Sequence, residues 1–264
     1  TTGGHEVLNI LVSNDDGIKA EGIRRLAETL SGLGDVYVFA PDSQRSASSQ
    51  ALSIGRDITI IQQPHESFPF AKEAYSVSGT PADCVKMGID VLRRKGIETD
   101  IVYAGINHGG NLGSDTMYSG TVSAAAEGAF EGKPAVAVSV NSHTPTHFEG
   151  CMALAARILP FAMELKAGGR VISINAPDIP IEEVKGVMPA KMGEVKYDQW
   201  FEVIDETENS VTYRYAGLPV ESENWDRDTD ALLIRKGYAT IATVQYDLND
   251  YEGLKEIEEW EIKL

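Results

Sequence analysis

Val7-Leu8-Asn9-Ile10-Leu11-Val12-Ser13-Asn14-Asp15-Asp16-Gly17 is an apolar run that ends abruptly on two adjacent carboxylates and a glycine. Residues 7–13 read as a buried strand, being short, nearly continuously apolar and closed by turn formers. An amphipathic helix over about 21–31 follows, with Ile23, Leu26, Ala27 and Leu30 on one face, and Val36-Tyr37-Val38-Phe39-Ala40 is a second buried strand closed by Pro41-Asp42. A β-α-β unit of this kind argues for parallel strands joined by a right-handed crossover. In an open α/β sheet, ligands bind outside the carboxyl ends of the strands, which is where Asp15 and Asp16 fall. Two like charges side by side repel unless something positive lies between them. A divalent cation, which takes carboxylate oxygens, is the simplest remedy.

The same alternation runs on. Gly79-Thr80-Pro81-Ala82-Asp83 is a helix start, with Thr80 as cap, Pro81 at the first helical position and Asp83 completing a capping box. That helix passes through Val85, Ile89 and Leu92, and Ile101-Val102-Tyr103-Ala104 is the next buried strand. A small-residue helix over 121–130, a strand over 135–140, a helix over 150–165 and a strand over 171–174 complete a doubly wound α/β sheet. Residues 51–61 read as extended peripheral chain. After Pro177 the texture changes to a hairpin (201–205 with 211–215), a strand over 238–244 and a terminal amphipathic helix over 250–260 carrying Leu254, Ile257 and Trp260. The expectation is one domain over 1–264, with a catalytic core at 7–177 and a C-terminal extension at 178–264. That extension lacks clustered functional residue types, so it reads as an oligomerisation or lid element.

Composition narrows the class. Of 264 residues, 42% are hydrophobic and 24% charged, ordinary for a globular protein, and 23 basic against 40 acidic side chains leave a net charge of −17. Such a surface repels long nucleic acids, whose binding depends on phosphate neutralisation by Lys and Arg. A small anionic substrate needs a local positive element instead, a metal or a helix N-terminus. Cys84 and Cys151 are isolated and read as small buried hydrophobes in a reducing compartment. No segment has the length of a membrane span, residues 1–6 look like a loose leader, and the cytoplasm is the expected location.

Three polar loops, 14–17, 43–49 and 107–121, follow expected parallel strands and therefore converge on one sheet edge; a fourth, Ser78-Gly79-Thr80, opens a helix. Asp and Asn also favour turns and caps, so the carboxylate pair alone is compatible with a purely structural turn. The convergence is what weighs against that. Ser46 offers a neutral oxygen near the carboxylates, and Arg45 a planar fork for a phosphate. Asn107 follows its strand directly and offers an amide oxygen. Ser119-Gly120-Thr121 precedes a helix and can present hydroxyls and backbone N–H groups to a phosphate. His143 and His147 are separated by Pro145 and share no helical face, and His108 is the histidine beside the candidate site. There is no G-x-S-x-G elbow, no G-x-x-x-x-G-K-[ST] loop and no G-x-G-x-x-G after the first strand.

Taken in order, Asn14-Asp15-Asp16-Gly17, Ala40-Pro41-Asp42 leading to Arg45-Ser46-Ala47, Gly79-Thr80-Pro81-Ala82-Asp83-Cys84, Gly105-Ile106-Asn107-His108-Gly109-Gly110-Asn111-Leu112-Gly113 and Tyr118-Ser119-Gly120-Thr121-Val122-Ser123 resemble the motifs of the SurE (survival protein E) family. A weaker echo follows in Asp228-Thr229-Asp230 and Gly237-Tyr238-Ala239-Thr240-Ile241. Where many members carry Gly-His after the Arg-Ser segment, this chain has Ser48-Ser49-Gln50. The resemblance implies a three-layer α/β/α, Rossmann-like core and a 5′-nucleotidase hydrolysing 5′- and 3′-nucleoside monophosphates, with short polyphosphate as a further substrate of some members. It implies one divalent metal per subunit, Mg²⁺ or Mn²⁺, on Asp15, Asp16, Ser46 and Asn107, and a homodimer or homotetramer built through C-terminal elements.

On this basis Asp15 and Asp16 are the expected catalytic residues. Asn14, Arg45, Gly79, Thr80, Asn111, Ser119, Gly120 and Thr121 are expected to hold the phosphate. The expected chemistry is direct attack by an activated water with one Asp accepting a proton. An Asp15 phosphoenzyme and a non-catalytic nucleotide-binding regulator are the alternatives. A dehalogenase-type hydrolase is disfavoured, because that class wants Asp-x-Asp where this chain has Asp15-Asp16-Gly17.

Overall fold

A computed structural model describes residues 7–165, 169–198, 200–217, 219–220 and 228–260, so the leader expected at 1–6 lies outside the described residues. The core elements are β1 (Asn9–Ser13), α1 (Glu21–Ser31), β2 (Asp35–Pro41), β3 (Ile60–Gln62), β4 (Glu73–Val77), α2 (Pro81–Arg94), β5 (Ile101–His108), α3 (Gly120–Phe130), β6 (Ala135–Asn141), α4 (Glu149–Glu164) and β7 (Arg170–Pro177). The C-terminal part adds β8 (Val187–Pro189), β9 (Lys196–Tyr197), β10 (Phe201–Thr207), β11 (Ser210–Tyr215), β12 (Pro219–Val220), α5 (Asp230–Arg235), β13 (Ala239–Gln245) and α6 (Tyr251–Glu258).

One nine-stranded sheet runs in the order β3-β4-β2-β1-β5-β6-β7-β13-β8. The six strands from β4 to β7 are all parallel to their neighbours. Numbered by their succession along the chain, those six lie as 3-2-1-4-5-6, the doubly wound order whose switch point falls between its first and fourth strands. Here that crevice lies between β1 and β5. The expected α/β/α architecture is thus observed, and the carboxylate pair follows the strand that forms one wall of the crevice.

Alternation along the strands explains the two layers. Ile10 and Val12 of β1 pack with Ile23, Leu26 and Leu30 of α1 and with Cys151, Ala155 and Leu159 of α4. Leu11, between them, faces Val85, Ile89 and Leu92 of α2 and Val122 and Ala125 of α3. A period-2 strand buried on both faces reads as continuous apolar sequence, the pattern that opens the chain. Both cysteines are buried and unpaired. The capping box expected at Thr80 and Asp83 is formed. Among the described residues no helix is long and apolar enough to cross a membrane.

Several elements differ from expectation. Residues 51–59 are irregular, and only Ile60–Gln62 pairs, antiparallel, at the sheet edge. β4, a central parallel strand, carries Glu73-Ala74-Tyr75-Ser76-Val77 and lacks the β-branched density that marks its neighbours. The C-terminal part is not wholly separate: β13 pairs antiparallel with β7, and β8 lies beyond it in the same sheet. The hairpin is present as β10 and β11.

One contact sets how closely α1 can lie on the crevice. A Cβ on Gly22 would sit 1.9 Å from the Ile106 carbonyl oxygen of β5. We expect Gly22→Ala to destabilise the protein by about 1–3 kcal/mol or more through overpacking. Gly150→Ala in α4, whose Cβ would meet only the Ala176 methyl at 3.6 Å, should be neutral or up to about 1 kcal/mol stabilising. Urea denaturation of both variants checks the contrast.

Candidate functional site

The site is built where β1, β2 and β5 end. Asp15 and Asp16 leave β1 in succession and meet different partners. The Asp15 side chain is buried, and its Oδ1 accepts the Thr121 hydroxyl from the first turn of α3. Gly120 makes this approach possible: a Cβ there would lie 2.8 Å from Asp15 Cβ and 2.9 Å from its Oδ2. Asp16 turns to the other side. Its Oδ2 accepts the His108 backbone N–H (3.0 Å) at the end of β5, and its Oδ1 the Gln44 amide (3.3 Å). The same Gln44 nitrogen donates to Ser46 Oγ at 2.9 Å, so a single NH₂ group spans an oxygen of Asp16 and that of Ser46. The Arg45 N–H donates to the Asp15 carbonyl (2.7 Å), locking the loop after β2 onto the carboxylate turn.

β5 reaches this edge through a register shift against β6 between Ala104 and Asn107. Gly105 sits there with φ of +131°, where a Cβ would strike the Val138 carbonyl oxygen at 2.2 Å, so only glycine fits. Beyond it, Asn107 donates its amide nitrogen to the Gly109 carbonyl (2.7 Å). That bond fixes which end of the amide is nitrogen and leaves the oxygen as the available donor atom.

Electrostatics follow from this placement. Burial pushes the Asp15 carboxyl up from 3.8 to about 6; the Thr121 hydroxyl pulls the other way, the neighbouring Asp16 charge adds to the rise, and backbone N–H groups of Asp15 and Thr121 lower it. Among the described residues, six buried side-chain polar atoms have no hydrogen-bond partner, and four of them, Ser13 Oγ, Arg45 Nε, Ser48 Oγ and His108 Nε2, lie in or beside these loops. Buried polar groups are normally paired, and exceptions concentrate where a ligand or ion completes them. Among the described residues no three His, Cys, Asp or Glu side chains are gathered to hold a metal. The donor set available is two carboxylates with a hydroxyl and an amide oxygen, all hard oxygen donors of the kind Mg²⁺ or Mn²⁺ takes.

The structure places the expected phosphate residues unequally. Ser119 caps α3, its hydroxyl oxygen accepting the Val122 N–H (3.0 Å), and Gly120 and Thr121 form the first turn against Asp15. Arg45 is half-exposed and pairs with Asp42 at 3.2 Å. Asn14 is fully buried and clasps Gly17 through both ends of its amide (3.0 and 3.2 Å), so its side chain shapes the turn. Thr80 donates to the Ala51 carbonyl (2.7 Å) and accepts the Asp83 N–H (3.1 Å), which ties the 48–52 loop to the helix start. Gly79 is required by that cap, since a Cβ there would lie 2.7 Å from Asp83 Cβ. Asn111 bonds Ser139 (2.8 Å) and Asn175 (2.9 and 3.1 Å), toward β6 and β7, and none of its described hydrogen bonds reaches the carboxylate loop.

Three residues enter that were not among the expected site residues. Gln44 bridges Asp16 and Ser46. Ser48 Oγ is buried against Gly120, 2.7 Å from where a Cβ would stand. Asp230, in the part expected to lack functional residues, accepts the N–H groups of Gly113 (2.7 Å), Gly193 (3.1 Å) and Ala231 (2.8 Å), fastening the loop that leads into α3. The Asp228-Thr229-Asp230 echo was the available signal.

The raised Asp15 carboxyl carries a stability signature. A carboxyl whose folded pKa lies above its unfolded value binds its proton more tightly when folded. Its contribution is therefore neutral below about pH 4, grows unfavourable as pH rises from there, and reaches its full penalty above about pH 6. The full penalty is about 3 kcal/mol at neutral pH. In chelator-treated protein, Asp15→Asn should be more stable than the parent above pH 6, by up to that amount, and should show no advantage near pH 4. Thermal denaturation at the two pH values checks it.

A family model described as Survival protein SurE matches residues 10–199. The chain is 39% identical over 255 residues to a 5′/3′-nucleotidase SurE of Proteus mirabilis, covering 96% of both chains. It is 37% identical over 256 residues to a 5′-nucleotidase SurE of a Synechococcus strain, covering 96% of this chain and 97% of that one. Among solved structures, the SurE protein from Aquifex aeolicus superposes with a TM-score of 0.80 at 30% identity, covering 95% of this chain and 98% of the other. With the expected motifs gathered on one sheet edge and the likeness extending over nearly the whole length, the chain belongs to the SurE family.

Proposed function

We propose that this protein is a divalent-metal-dependent phosphomonoesterase that hydrolyses nucleoside 5′- and 3′-monophosphates to nucleoside and phosphate. The nucleotidase class comes with the family; the metal, the residue roles and short polyphosphate as a further substrate are the proposal. The observation that carries it is that four buried polar atoms without partners lie in or beside the loops that bring an oxygen-donor set to the switch point of the sheet. Asp15, Asp16, Ser46 and Asn107 would hold one Mg²⁺ or Mn²⁺ per subunit. When bound, the ion would supply Lewis-acid polarisation of the phosphoryl group and a lowered pKa for attacking water.

The chain's own groups divide the remaining work. Ser119, Gly120 and Thr121 at the N-terminus of an 11-residue helix, with Arg45, offer N–H dipoles and positive charge to the phosphate oxygens as charge develops on them. Asn14, Gly79, Thr80 and Asn111 support the same pocket by shaping its loops. Attack by water, with Asp15 or Asp16 receiving its proton, is favoured over attack by Asp15 itself. In this reading both carboxylates are committed to the metal, and Asp15 also accepts the Thr121 hydroxyl, which leaves water as the nucleophile.

Assay of nucleoside monophosphates with Mn²⁺ or Mg²⁺, with and without chelator, tests the function. We expect turnover that chelator abolishes and added metal restores. Asp16→Asn should lower it more than about 100-fold, the loss typical of removing even an outer partner of a metal site. Chelator-insensitive turnover would overturn the metal role, and a trapped aspartyl-phosphate would overturn attack by water.

The protein acts, in this proposal, as a homodimer or homotetramer in the cytoplasm. Phe201, Val203, Ile204, Tyr213 and Tyr215 of the β10–β11 hairpin and Leu254, Ile257 and Trp260 at α6 are all exposed. An apolar area of that kind marks an association surface. Sedimentation should give a dimer or tetramer, and a Val203→Asp, Tyr213→Asp variant should shift it to monomer. A monomeric parent would rule the assembly out.

A further inference from the structure

We propose that Tyr118 is the platform on which the nucleoside base of the substrate stacks, making it a specificity-determining residue. The proposal rests on the phosphomonoesterase reading above and adds where the leaving group lies. Tyr118 ends the 3₁₀ helix Gly113–Tyr118 and immediately precedes Ser119, the cap of α3. A ring at that position stands one residue, about 3.8 Å along the chain, from the turn that receives the phosphate.

The loop carrying it is braced along its length. Gly113 N–H bonds Asp230 (2.7 Å), Ser114 Oγ accepts the Val195 N–H (3.1 Å), and Asp115 takes the Tyr197 hydroxyl. The Thr116 hydroxyl donates to the Asn111 carbonyl (3.3 Å), while the carbonyls of Met117 and Tyr118 accept the Ser49 hydroxyl (2.9 Å) and N–H (3.1 Å). These bonds tie the loop to the C-terminal segment, to Asn111 and to the loop after β2, and none uses the Met117 or Tyr118 side chain: Met117 is 75% and Tyr118 65% exposed. Tyr118 is the exposed aromatic of the loops that carry the candidate site; among the described residues the other large exposed aromatics are Phe70 before β4, Phe130 on α3, Phe161 on α4, and residues of the hairpin and of α6 with their flanks. Two apolar side chains held outward on a hydrogen-bonded backbone, beside an anion-binding turn, match the two halves of a nucleoside monophosphate.

Stacking of a base on an aromatic side chain is worth about 1–3 kcal/mol by alanine substitution and tolerates any base, since each has a π-face. The platform therefore separates nucleotides from aliphatic phosphate esters and discriminates weakly among bases. Steady-state kinetics on adenosine monophosphate and glycerol phosphate, with Mn²⁺, test it. Tyr118→Ala should raise KM for adenosine monophosphate about 5- to 150-fold with kcat changed less than about twofold. KM for glycerol phosphate should not move, and Tyr118→Phe should restore the parent values. Adenosine alone, lacking the phosphate, should inhibit the parent competitively and lose that inhibition in Tyr118→Ala. An equal loss on both substrates, or an unchanged KM for the nucleotide, would overturn the platform while leaving the phosphatase reading in place. A parent inert toward both substrates with metal present would remove that reading and the platform with it.

Discussion

Asp15 and Asp16 share a peptide bond and repel one another, yet each is answered by a different part of the molecule. Both lie in the bend after β1, where their side chains part: Asp15 meets α3 through Thr121 and Gly120, and Asp16 meets the end of β5 and the loop after β2 through His108 and Gln44. The pair becomes the point at which three strand ends are tied together. Burial chiefly, with the neighbouring Asp16 charge adding to it, raises the Asp15 carboxyl. In the proposed function a cation beside the pair would relieve the repulsion between the two carboxylates.

The scaffold builds this edge with close backbone approaches rather than with many charged side chains. α1 lies against β5 at Gly22, β5 steps over Val138 at Gly105, and α3 rests on Asp15 at Gly120. The last of these sets a helix N-terminus beside the carboxylates. In the proposed function that terminus would be the local positive element by which a chain of net charge −17 takes a phosphate.

Most of this was legible because it is written in short-range signals. A buried strand ending on Asn14-Asp15-Asp16-Gly17, a Thr-Pro-Ala-Asp helix start and a 135–140 segment apolar but for Ser139 each declare their element locally. β4 escaped notice because Glu73, Ala74 and Ser76 do not read as strand, and burial came from neighbours far along the chain. The roles of Asn14 and Thr80 are of the same origin. Both residue types suit a phosphate pocket, and only tertiary hydrogen bonds reveal that one clasps its own turn and the other anchors Ala51. Gln44 carried no signal at all, since its importance lies in spanning Asp16 and Ser46, a relation that exists only when two loops meet.

Asp230 changes how the C-terminal part is understood. Its buried carboxylate accepts N–H groups from Gly113 in the site loop and from Gly193 in the segment leading to the hairpin. Ser114 and Asp115 are bonded to Val195 and Tyr197 in the same segment. The loop that presents the cap of α3 is thus held from outside by residues 191–197 and by α5, not by the core alone. Hydrogen bonds between charged and buried main-chain groups are costly to leave unmade, so the loop and its brace move or stay together. An extension expected to be an oligomerisation or lid element is, through four residues, part of what gives the candidate site its shape.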